Sequence, residues 1–226
     1  MVSTPSITAI VPVRGGSRRL PGKNAMKFRG TPLVAHKVGQ LRQVSSVSRI
    51  VVASDDNALL SLGARVGATP LKQTDAMCDE DNRPWNATIH DIVSRVEGDI
   101  ILWAHATNPC ISPATYQRAI ECYLLACTGE GAMNDSLVSV AAVKKHAWYL
   151  GLPLNHDGCH SQHAVGNDLF PVYWQDGGIF IYDRARALAN LYVYGAYPVL
   201  FEMPEHEVAD IDTAADWERA VALYRE

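Results

Sequence analysis

The sequence lacks the features that mark several classes of protein. No stretch approaches the roughly 20 apolar residues that span a bilayer, and no basic leader precedes the first apolar run. The formal net charge of −4 provides no basic field that would attract a polynucleotide. The five cysteines contain no CxxC pair of zinc-site or redox spacing, so we interpret them as reduced and mostly structural. We therefore expect a cytoplasmic protein with neither a membrane nor a nucleic acid as its partner.

The composition is that of a globular protein. Hydrophobic residues make up 48% of the 226 positions and charged residues 19%, which is enough for one α/β domain with its own core. The sequence contains no repeat, low-complexity run or interdomain linker. Residues 1–226 are therefore predicted to form a single domain.

Apolar runs bounded by turn residues alternate with amphipathic segments along the chain. The first four, ITAIVPV, TPLVAHKVGQLRQV, RIVVASDD and NALLSLGARVG, are predicted as strand, helix, strand and helix. A helix in NATIHDIVSRV, a buried strand in DIILWAHA and a helix opened by Ser112 and Pro113 continue the pattern. SLVSVAAV, GGIFIYDR and YPVLFEMP are predicted strands, DRARALANLY is a helix, and the last helix has Asp212 or Thr213 as its N-cap. This rhythm predicts an α/β fold in which helices cover both faces of a parallel sheet.

A segment from about residue 144 to 173 breaks this rhythm with Gly, His, Asn and Pro. That composition suits an irregular excursion from the sheet. Its apolar side chains would form an exposed patch, so we predict dimerisation through Trp148, Tyr149, Leu150 and Leu152. His156, His160 and His163 lie in the same segment, but without a CxxC or HExxH frame they do not favour a zinc site.

A basic segment that contains glycine directly follows the first predicted strand. RGGSRRLPGKN, residues 14–24, holds two adjacent glycines, a hydroxyl group, three arginines and a lysine. Glycines let backbone N–H groups approach phosphate oxygens, and the cations neutralise the charge of a polyphosphate. The carboxyl end of a strand is also where open α/β sheets bind ligands. The segment is neither a P-loop nor a dinucleotide fingerprint, and a solvated basic loop is the alternative interpretation.

Two acidic residues stand near the other end of the sequence. EVADIDT places Asp210 and Asp212 one residue apart, after a predicted strand and before the last helix. Alternate side chains of an extended segment share a face. Two carboxylates on one face are hard oxygen ligands for Mg²⁺, which would also bridge the phosphate oxygens of a nucleotide. The alternative is that Asp212 merely caps the last helix.

Together, RGGSRRLPGKN and DIDT resemble the acylneuraminate cytidylyltransferase family, the CMP-sialic acid synthetases and their relatives that act on other nonulosonic acids. Between these anchors, RIVVASDD, LWAHATNPCI and QDGGIFIY follow in the family's order, so the resemblance covers nearly the whole chain. It implies the doubly wound, mostly parallel, Rossmann-like sheet of a nucleotidyltransferase, and a homodimer. It also implies transfer of CMP from CTP to a nonulosonic or related 3-deoxy-2-keto sugar acid, with Mg²⁺ as cofactor and release of pyrophosphate.

The family's site residues carry over to the matching positions of this sequence. The resemblance implies that the CTP phosphates and ribose are bound by Arg14, Gly15, Gly16, Ser17, Lys23 and Asn24. It also implies Mg²⁺ ligands at Asp210 and Asp212 and catalytic roles for Arg14, Lys23 and Asp212. Mg²⁺ and Lys23 would stabilise the charge that develops during attack on the α-phosphate.

The chain departs from the family pattern near the base and near the sugar. LKQTDAMCDEDNRPWNA replaces the family's RP and LA stretch, so Lys72 or Arg83 would take the expected contact to the base. His105 and Asp176 stand where many relatives carry the Gln of QPTSP and the Asn of NGA. Both are predicted to contact the sugar. The alternatives are a hydrogen-bonded histidine at a strand end and a turn residue before Gly177.

The family's RQxLP stretch, whose arginine engages the sugar carboxylate, corresponds here to SQHAVGNDLFPVY, which has no arginine. Because an unpaired carboxylate in a partly desolvated site is costly, we predict a sugar acid other than N-acetylneuraminic acid, with Gln162 as a further contact. The rival functions are a related transferase for another nucleotide or the eight-carbon acid of lipopolysaccharide cores, and an inactive nucleotide-sensing protein. Retention of Lys23, Asp210 and Asp212 argues against the inactive protein.

Overall fold

The computed structural model describes residues 5–78, 84–157, 165–190 and 192–224. In chain order, the strands are β1 (Ile7–Pro12), β2 (Lys27–Phe28), β3 (Thr31–Pro32), β4 (Arg49–Ser54), β5 (Thr69–Lys72), β6 (Ile100–Ala104), β7 (Ser136–Val143), β8 (Trp148–Tyr149), β9 (Leu152–Pro153), β10 (Val172–Asp183) and β11 (Pro198–Glu202). The α-helices are α1 (Leu33–Leu41), α2 (Asn57–Arg65), α3 (Trp85–Ser94), α4 (Pro113–Cys127), α5 (Arg184–Asn190) and α6 (Ala214–Leu223). Short 3-10 helices occupy Lys23–Ala25, Asp75–Met77, Gly166–Asp168 and Glu205–Glu207.

Seven strands form one sheet in the order β11-β7-β10-β6-β1-β4-β5. β1 pairs in parallel with β4 and β6, β4 pairs in parallel with β5, and β11 pairs in parallel with β7. β10 runs antiparallel to both of its neighbours, β6 and β7. The predicted mostly parallel α/β sheet is therefore confirmed.

Both faces of the sheet are buried under helices. On one face, Val11 and Leu102 belong to a core that includes residues of α1, α2, α4 and α6. On the other face, Ile10 and Trp103 belong to a core that includes residues of α3 and α5. Because successive side chains of a strand point to opposite faces, strands covered on both sides need the nearly continuous apolar runs that the sequence shows.

The helix ends settle a question that the sequence left open. Ser112 caps α4 by accepting a hydrogen bond from the backbone N–H of Thr115, as its position predicts. At α6 the N-cap is Thr213, which forms a capping box with Asp216. Asp212 is therefore not the cap of the last helix.

The structure corrects two local predictions. Asp210 and Asp212 do not directly follow a strand, because β11 ends at Glu202 and a 3-10 helix intervenes at Glu205–Glu207. The excursion is less irregular than predicted, since it contains the antiparallel pair β8 and β9, and β10 begins at Val172. Among the described residues, no helix has the length and apolarity that a membrane span requires.

The carboxyl ends of β1, β4 and β6 meet at one edge because these strands are parallel. A bulge in β10, between Gln175 and Phe180, lies next to this edge. Gly177 in the bulge has a φ of 74°, a backbone conformation that favours glycine. A Cβ atom at Gly178 would stand 2.6 Å from Cδ1 of Ile111. The two glycines thus let the bulge form and pack closely beside the edge.

Candidate active site

A cavity of about 490 Å³ opens at this edge of the sheet. Four segments of the chain line it. Three begin at the carboxyl ends of β1, β5 and β6, and the fourth follows the last 3-10 helix and forms one wall with the segment after β6, so the lining has three parts. We call them the basic loop (residues 14–24), the polar wall (Gln73, Cys78, Trp85 and Thr88) and the carboxylate wall (His105, Thr107, Asp210 and Asp212). Segments far apart in sequence therefore meet around one space.

The basic loop turns most of its predicted residues toward the cavity. The lining includes Arg14, Ser17, Arg18, Arg19, Lys23 and Asn24. The backbone N–H of Gly15 donates to Oδ1 of Asp55 at 2.9 Å, and Nδ2 of Asn24 donates to the carbonyl oxygen of Arg14 at 3.0 Å. Gly16 is exposed. The loop is thus tied to the end of β4 and to itself, and its cationic side chains face the space.

Lys23 joins the basic loop to the carboxylate wall. Its side chain is buried, and its Nζ donates to the carbonyl oxygen of Ile211 and, at 3.1 Å, to Oδ1 of Asp212. Nη1 of Arg19 lies 2.9 Å from Oδ2 of the same carboxylate. The two ends of the sequence that were predicted to act together are therefore in direct contact.

Asp210 stands on the carboxylate wall beside Asp212. Its carboxylate is hydrogen-bonded to the hydroxyl group of Thr107, and the backbone N–H of Ile211 donates to the carbonyl oxygen of Thr107 at 2.8 Å. Desolvation by the surrounding protein raises the pKa of Asp210, and the negative charge of Asp212 raises it further, while the Thr107 bond opposes the rise. The pair thus holds negative charge that a bound cation would neutralise.

His105 is a hydrogen-bonded histidine at the end of β6. Its Nδ1 lies 2.7 Å from the carbonyl oxygen of Gly177, and Nε1 of Trp103 donates to its Nε2 at 3.0 Å. Burial lowers the pKa of His105, so the ring is held neutral with the proton on Nδ1. The ring lines the cavity, yet both of its nitrogens already bind protein. The sugar contact predicted for His105 therefore stays a prediction, and it would need one of these bonds to break.

Asp176 lies at the β10 bulge and lines a second cavity of about 300 Å³, which also reaches Asp210. Its Oδ1 accepts hydrogen bonds from the hydroxyl group of Ser139 and, at 3.2 Å, from the backbone N–H of Gly178. Within the described part of the chain, Oδ2 is buried without a hydrogen-bond partner. Burial raises the pKa of this carboxyl group. Asp176 thus makes the turn contact of the alternative interpretation through Oδ1, while its Oδ2 has no partner among the described residues, and the predicted sugar contact stays a prediction.

The remaining predicted residues divide into two groups. Lys72 is exposed, and its Nζ donates to the backbone carbonyl oxygen of Asp55. Arg83 and Gln162 lie outside the described residues, as do His160 and His163. The ring of His156 packs edge-on against Trp148, with 5.0 Å between the ring centroids.

Sequence reasoning places the segment LKQTDAMCDEDNRPWNA near the base but names Lys72 or Arg83 there, and it missed the residues of the polar wall. Gln73 directly follows β5, and Trp85 and Thr88 lie in the first turn of α3. The position of Gln73 just after a strand was the available signal, since ligands bind at such ends. Cys78 offered no pattern of its own, because it is one unpaired cysteine in a loop.

Comparison with known proteins agrees with this geometry. A model of the cytidylyltransferase family matches residues 8–142. CMP-N,N'-diacetyllegionaminic acid synthase of Legionella pneumophila is 28% identical, with 93% of each chain covered. Pseudaminic acid cytidylyltransferase of Campylobacter jejuni is 26% identical, with 96% of this chain and 95% of the relative covered.

Solved structures show the same fold. CMP:2-keto-3-deoxy-manno-octonic acid synthetase, solved in complex with CTP, superimposes with a TM-score of 0.69 at 18% identity. The match covers 96% of this chain and 98% of that one. The resemblance drawn from the basic loop and DIDT is thereby confirmed. Since the family model spans more than half of its residues, this chain belongs to the cytidylyltransferase family.

Proposed function

We propose that this chain transfers CMP from CTP to an acidic nonulosonic sugar and releases pyrophosphate. The observation that carries the proposal is the contact of Lys23 with Asp212, which joins a cation-rich loop to a pair of carboxylates inside one cavity. A cytidylyltransferase needs both groups, because a triphosphate must be neutralised and its α-phosphate must be positioned. The full-length relatives that act on legionaminic and pseudaminic acids support the same function.

The basic loop suits the triphosphate. Four cationic side chains of the loop line the cavity: Arg14, Arg18, Arg19 and Lys23. Arginine forks bind phosphate oxygens in pairs, and lysine supplies a compact charge. Ser17 and Asn24 add neutral hydrogen-bonding groups on the same side. Arg19 and Lys23 are both paired with Asp212, and we propose that they also contact phosphate oxygens of the bound nucleotide.

Asp210 and Asp212 fit Mg²⁺. Both carboxylates line the cavity, and a divalent cation bound there would offset the desolvation and the charge of Asp212 that raise the pKa of Asp210. Hard carboxylate oxygens are the ligands that this ion prefers. When bound, Mg²⁺ would offset charge on the phosphate oxygens and lower the pKa of the attacking hydroxyl group.

The reaction is a displacement at the α-phosphate. A sugar hydroxyl oxygen forms a bond to the α-phosphorus, the bond from that phosphorus to the bridging oxygen breaks, the hydroxyl proton passes to solvent, and pyrophosphate leaves. Lys23 stabilises the negative charge that develops on the phosphate oxygens, and its buried position holds it ready for this role. Arg14 and the other loop cations hold the leaving pyrophosphate.

We propose that the sugar binds on the side of the carboxylate wall, where Asp176, Asp210 and Arg219 line the second cavity. The acceptor we propose is a nonulosonic acid other than N-acetylneuraminic acid, because SQHAVGNDLFPVY lacks the carboxylate-binding arginine. The chain is also proposed to form a homodimer through residues 144–173, whose exposed side chains include Trp148, Tyr149, Leu150 and Leu152.

The proposal is tested by leaving out one reactant at a time. Pyrophosphate release is measured with CTP, Mg²⁺ and a series of eight- and nine-carbon 2-keto sugar acids, and then without each component. We expect release only when all three are present. Release that does not depend on the sugar, or none across the whole series, would contradict the proposed transfer.

A further inference from the structure

Gln73 is a buried amide that faces the cavity with one end unpaired. The residue is 3% exposed and lines the cavity as part of the polar wall. The backbone N–H of Gln73 donates to the carbonyl oxygen of Ser54 at 2.8 Å, which fixes the residue just beyond β5. Within the described residues, its Nε2 has no hydrogen-bond partner. A buried donor without an acceptor is unfavourable, so an acceptor from a ligand would satisfy it.

Cys78 orients this amide. Its Sγ lies 3.6 Å from Oε1 of Gln73 and donates to it. Burial, reinforced by the negative charge of Asp55, raises the pKa of the Cys78 thiol to about 11. The group therefore keeps its proton at neutral pH and serves as a weak donor. With Oε1 bound to the thiol, the N–H groups of Nε2 are left for a ligand.

We infer that Gln73, oriented by Cys78, recognises the base of the nucleotide by donating a hydrogen bond from Nε2 to N3 of cytosine. This inference rests on the proposed function, because it takes the ligand of the cavity to be a nucleoside triphosphate. In the proposed function the basic loop binds the phosphates, and the polar wall, which lines the same cavity, is left for the base. Trp85 on the same wall adds an aromatic surface on which a base can lie.

The donor favours cytosine over uracil. Cytosine carries acceptors at N3 and O2, whereas N3 of uracil carries a hydrogen and is itself a donor. A fixed amide N–H opposite N3 is thus paired by cytosine and opposed by uracil. A glutamine free to turn over would accept either base, because its oxygen and nitrogen would exchange places. The bond from Cys78 is what makes the contact selective.

Equilibrium binding of CTP and UTP, both with Mg²⁺ and without sugar, tests the inference. Calorimetry on the unmodified chain should show CTP bound about 10- to 100-fold more tightly than UTP. Gln73→Leu should remove most of this preference, chiefly by weakening CTP. Gln73→Glu, which replaces the donor by an acceptor of the same shape, should reverse the order. The matched control is Gln43→Leu, since Gln43 is exposed on the surface and its side chain donates to the carbonyl oxygen of Gly39, one turn earlier in the chain.

Variants of Cys78 test the orienting role. Cys78→Ser keeps a donor for Oε1 and should retain the CTP preference, while Cys78→Ala frees the amide and should reduce the preference several-fold. Cys122→Ala, a partly buried cysteine on α4, is the control. Circular dichroism establishes that each variant is folded.

Two results would overturn the inference: equal binding of CTP and UTP by the unmodified chain, or an unchanged preference in both Gln73 variants. Neither depends on turnover. A clear base preference in binding, combined with no product from any acidic sugar, would instead contradict the proposed transfer and leave the role of Gln73 standing.

Discussion

At the scale of the residue, Asp212 is where the cationic loop and the carboxylates meet. Its side chain accepts from Lys23 and pairs with Arg19, and it does not cap α6. Asp212→Asn should therefore leave the fold intact but lower turnover by about two orders of magnitude or more. Steady-state rates at limiting Mg²⁺ and thermal unfolding of the same samples measure both effects. An unchanged rate would show that the carboxylate has no part in the reaction.

Lys37 is a buried lysine that holds the segment after β6 in place through hydrogen bonds. Its Nζ donates to the carbonyl oxygen of Asn108 at 2.8 Å and to the hydroxyl oxygen of Tyr116 at 2.6 Å. Nδ2 of Asn108 in turn donates to the carbonyl oxygen of Asp176 at 3.2 Å. Burial lowers the pKa of Lys37 to about 7, although Glu207 and Asp176 oppose the shift. The lysine thus holds the loop between the two cavities while it is close to losing its charge.

The lowered pKa of Lys37 makes the stability of the folded chain depend on pH. The unfolded chain holds the Lys37 proton up to its ordinary pKa of 10.5, whereas the folded chain releases it near 7. The unfolded state binds more protons between these values, so stability rises with pH across this window, by about 1 kcal/mol per pH unit. Lys37→Met should remove that rise. Urea unfolding at pH 7 and 8.5 measures it, with exposed Lys27→Met as control; equal slopes in all three proteins would contradict the assignment.

The functional residues that lie in short segments rich in charged residues could be predicted from the sequence. Those whose roles depend on burial and hydrogen bonds in the folded chain could not. The cations of the basic loop and the two aspartates form dense local patterns, and the structure brings them into one cavity. Lys37 could not be found this way, because a lysine in an amphipathic helix normally lies on the solvent face. Gln73 gave only its position after a strand, since its unpaired nitrogen is a property of the folded state.

At the scale of the element, two adjacent residues at the start of α6 have different roles: Thr213 caps the helix, and Asp212 lines the cavity. Thr213 accepts from the backbone N–H of Asp216, whose carboxylate accepts from the backbone N–H of Thr213. Thr213→Ala should lower the free energy of unfolding by about 1 kcal/mol, while Thr213→Ser should retain most of it. Chemical denaturation compares the two. Equal destabilisation by both variants would show that the hydroxyl group of Thr213 does not stabilise the helix.

Strands and helices could be predicted from the sequence, but the direction of β10 and its bulge could not. An antiparallel strand between β6 and β7 needs the same apolar residues as a parallel one, because both of its faces are covered. The bulge depends on Gly177 and Gly178, which the sequence marks only as a turn signal. The 3-10 helix before Asp210 could not be predicted either. The sequence predicts that Asp210 directly follows a strand, whereas this helix separates Asp210 from the end of β11.

At the scale of the whole molecule, the exposed apolar side chains of the excursion predict a dimer. Trp148 is 58% exposed, and Leu150 is 86% exposed. Trp148→Glu combined with Leu150→Glu should shift a dimeric mass toward a monomeric one, because charges in an apolar interface are costly. Light scattering at micromolar concentration measures the mass. Leu125→Glu is the control, since Leu125 is equally exposed on α4; a monomeric unmodified chain would contradict the prediction.

The site could be anticipated only in part because it is assembled from segments far apart in the chain. The basic loop, Gln73, His105 and the Asp210 segment are brought together by the parallel order of β1, β4 and β6 and by β5 beside them. Sequence patterns locate each segment but not the distances between them. The residues on the nucleotide side could therefore be predicted better than those on the sugar side. There, the hydrogen bonds of Asp176 and His105 form only in the folded chain.

Identification of the product tests the proposed transfer of CMP most directly. The unmodified chain and Lys23→Met are each incubated with CTP, Mg²⁺ and a nonulosonic acid of the legionaminic or pseudaminic type, and the mixture is analysed by mass spectrometry together with pyrophosphate determination. We predict that the unmodified chain forms a CMP-sugar and pyrophosphate in equal amounts, and that Lys23→Met forms at least about 100-fold less in the same time. Pyrophosphate without a CMP-sugar, or equal product from both proteins, would contradict the claim that this cavity transfers CMP to an acidic sugar.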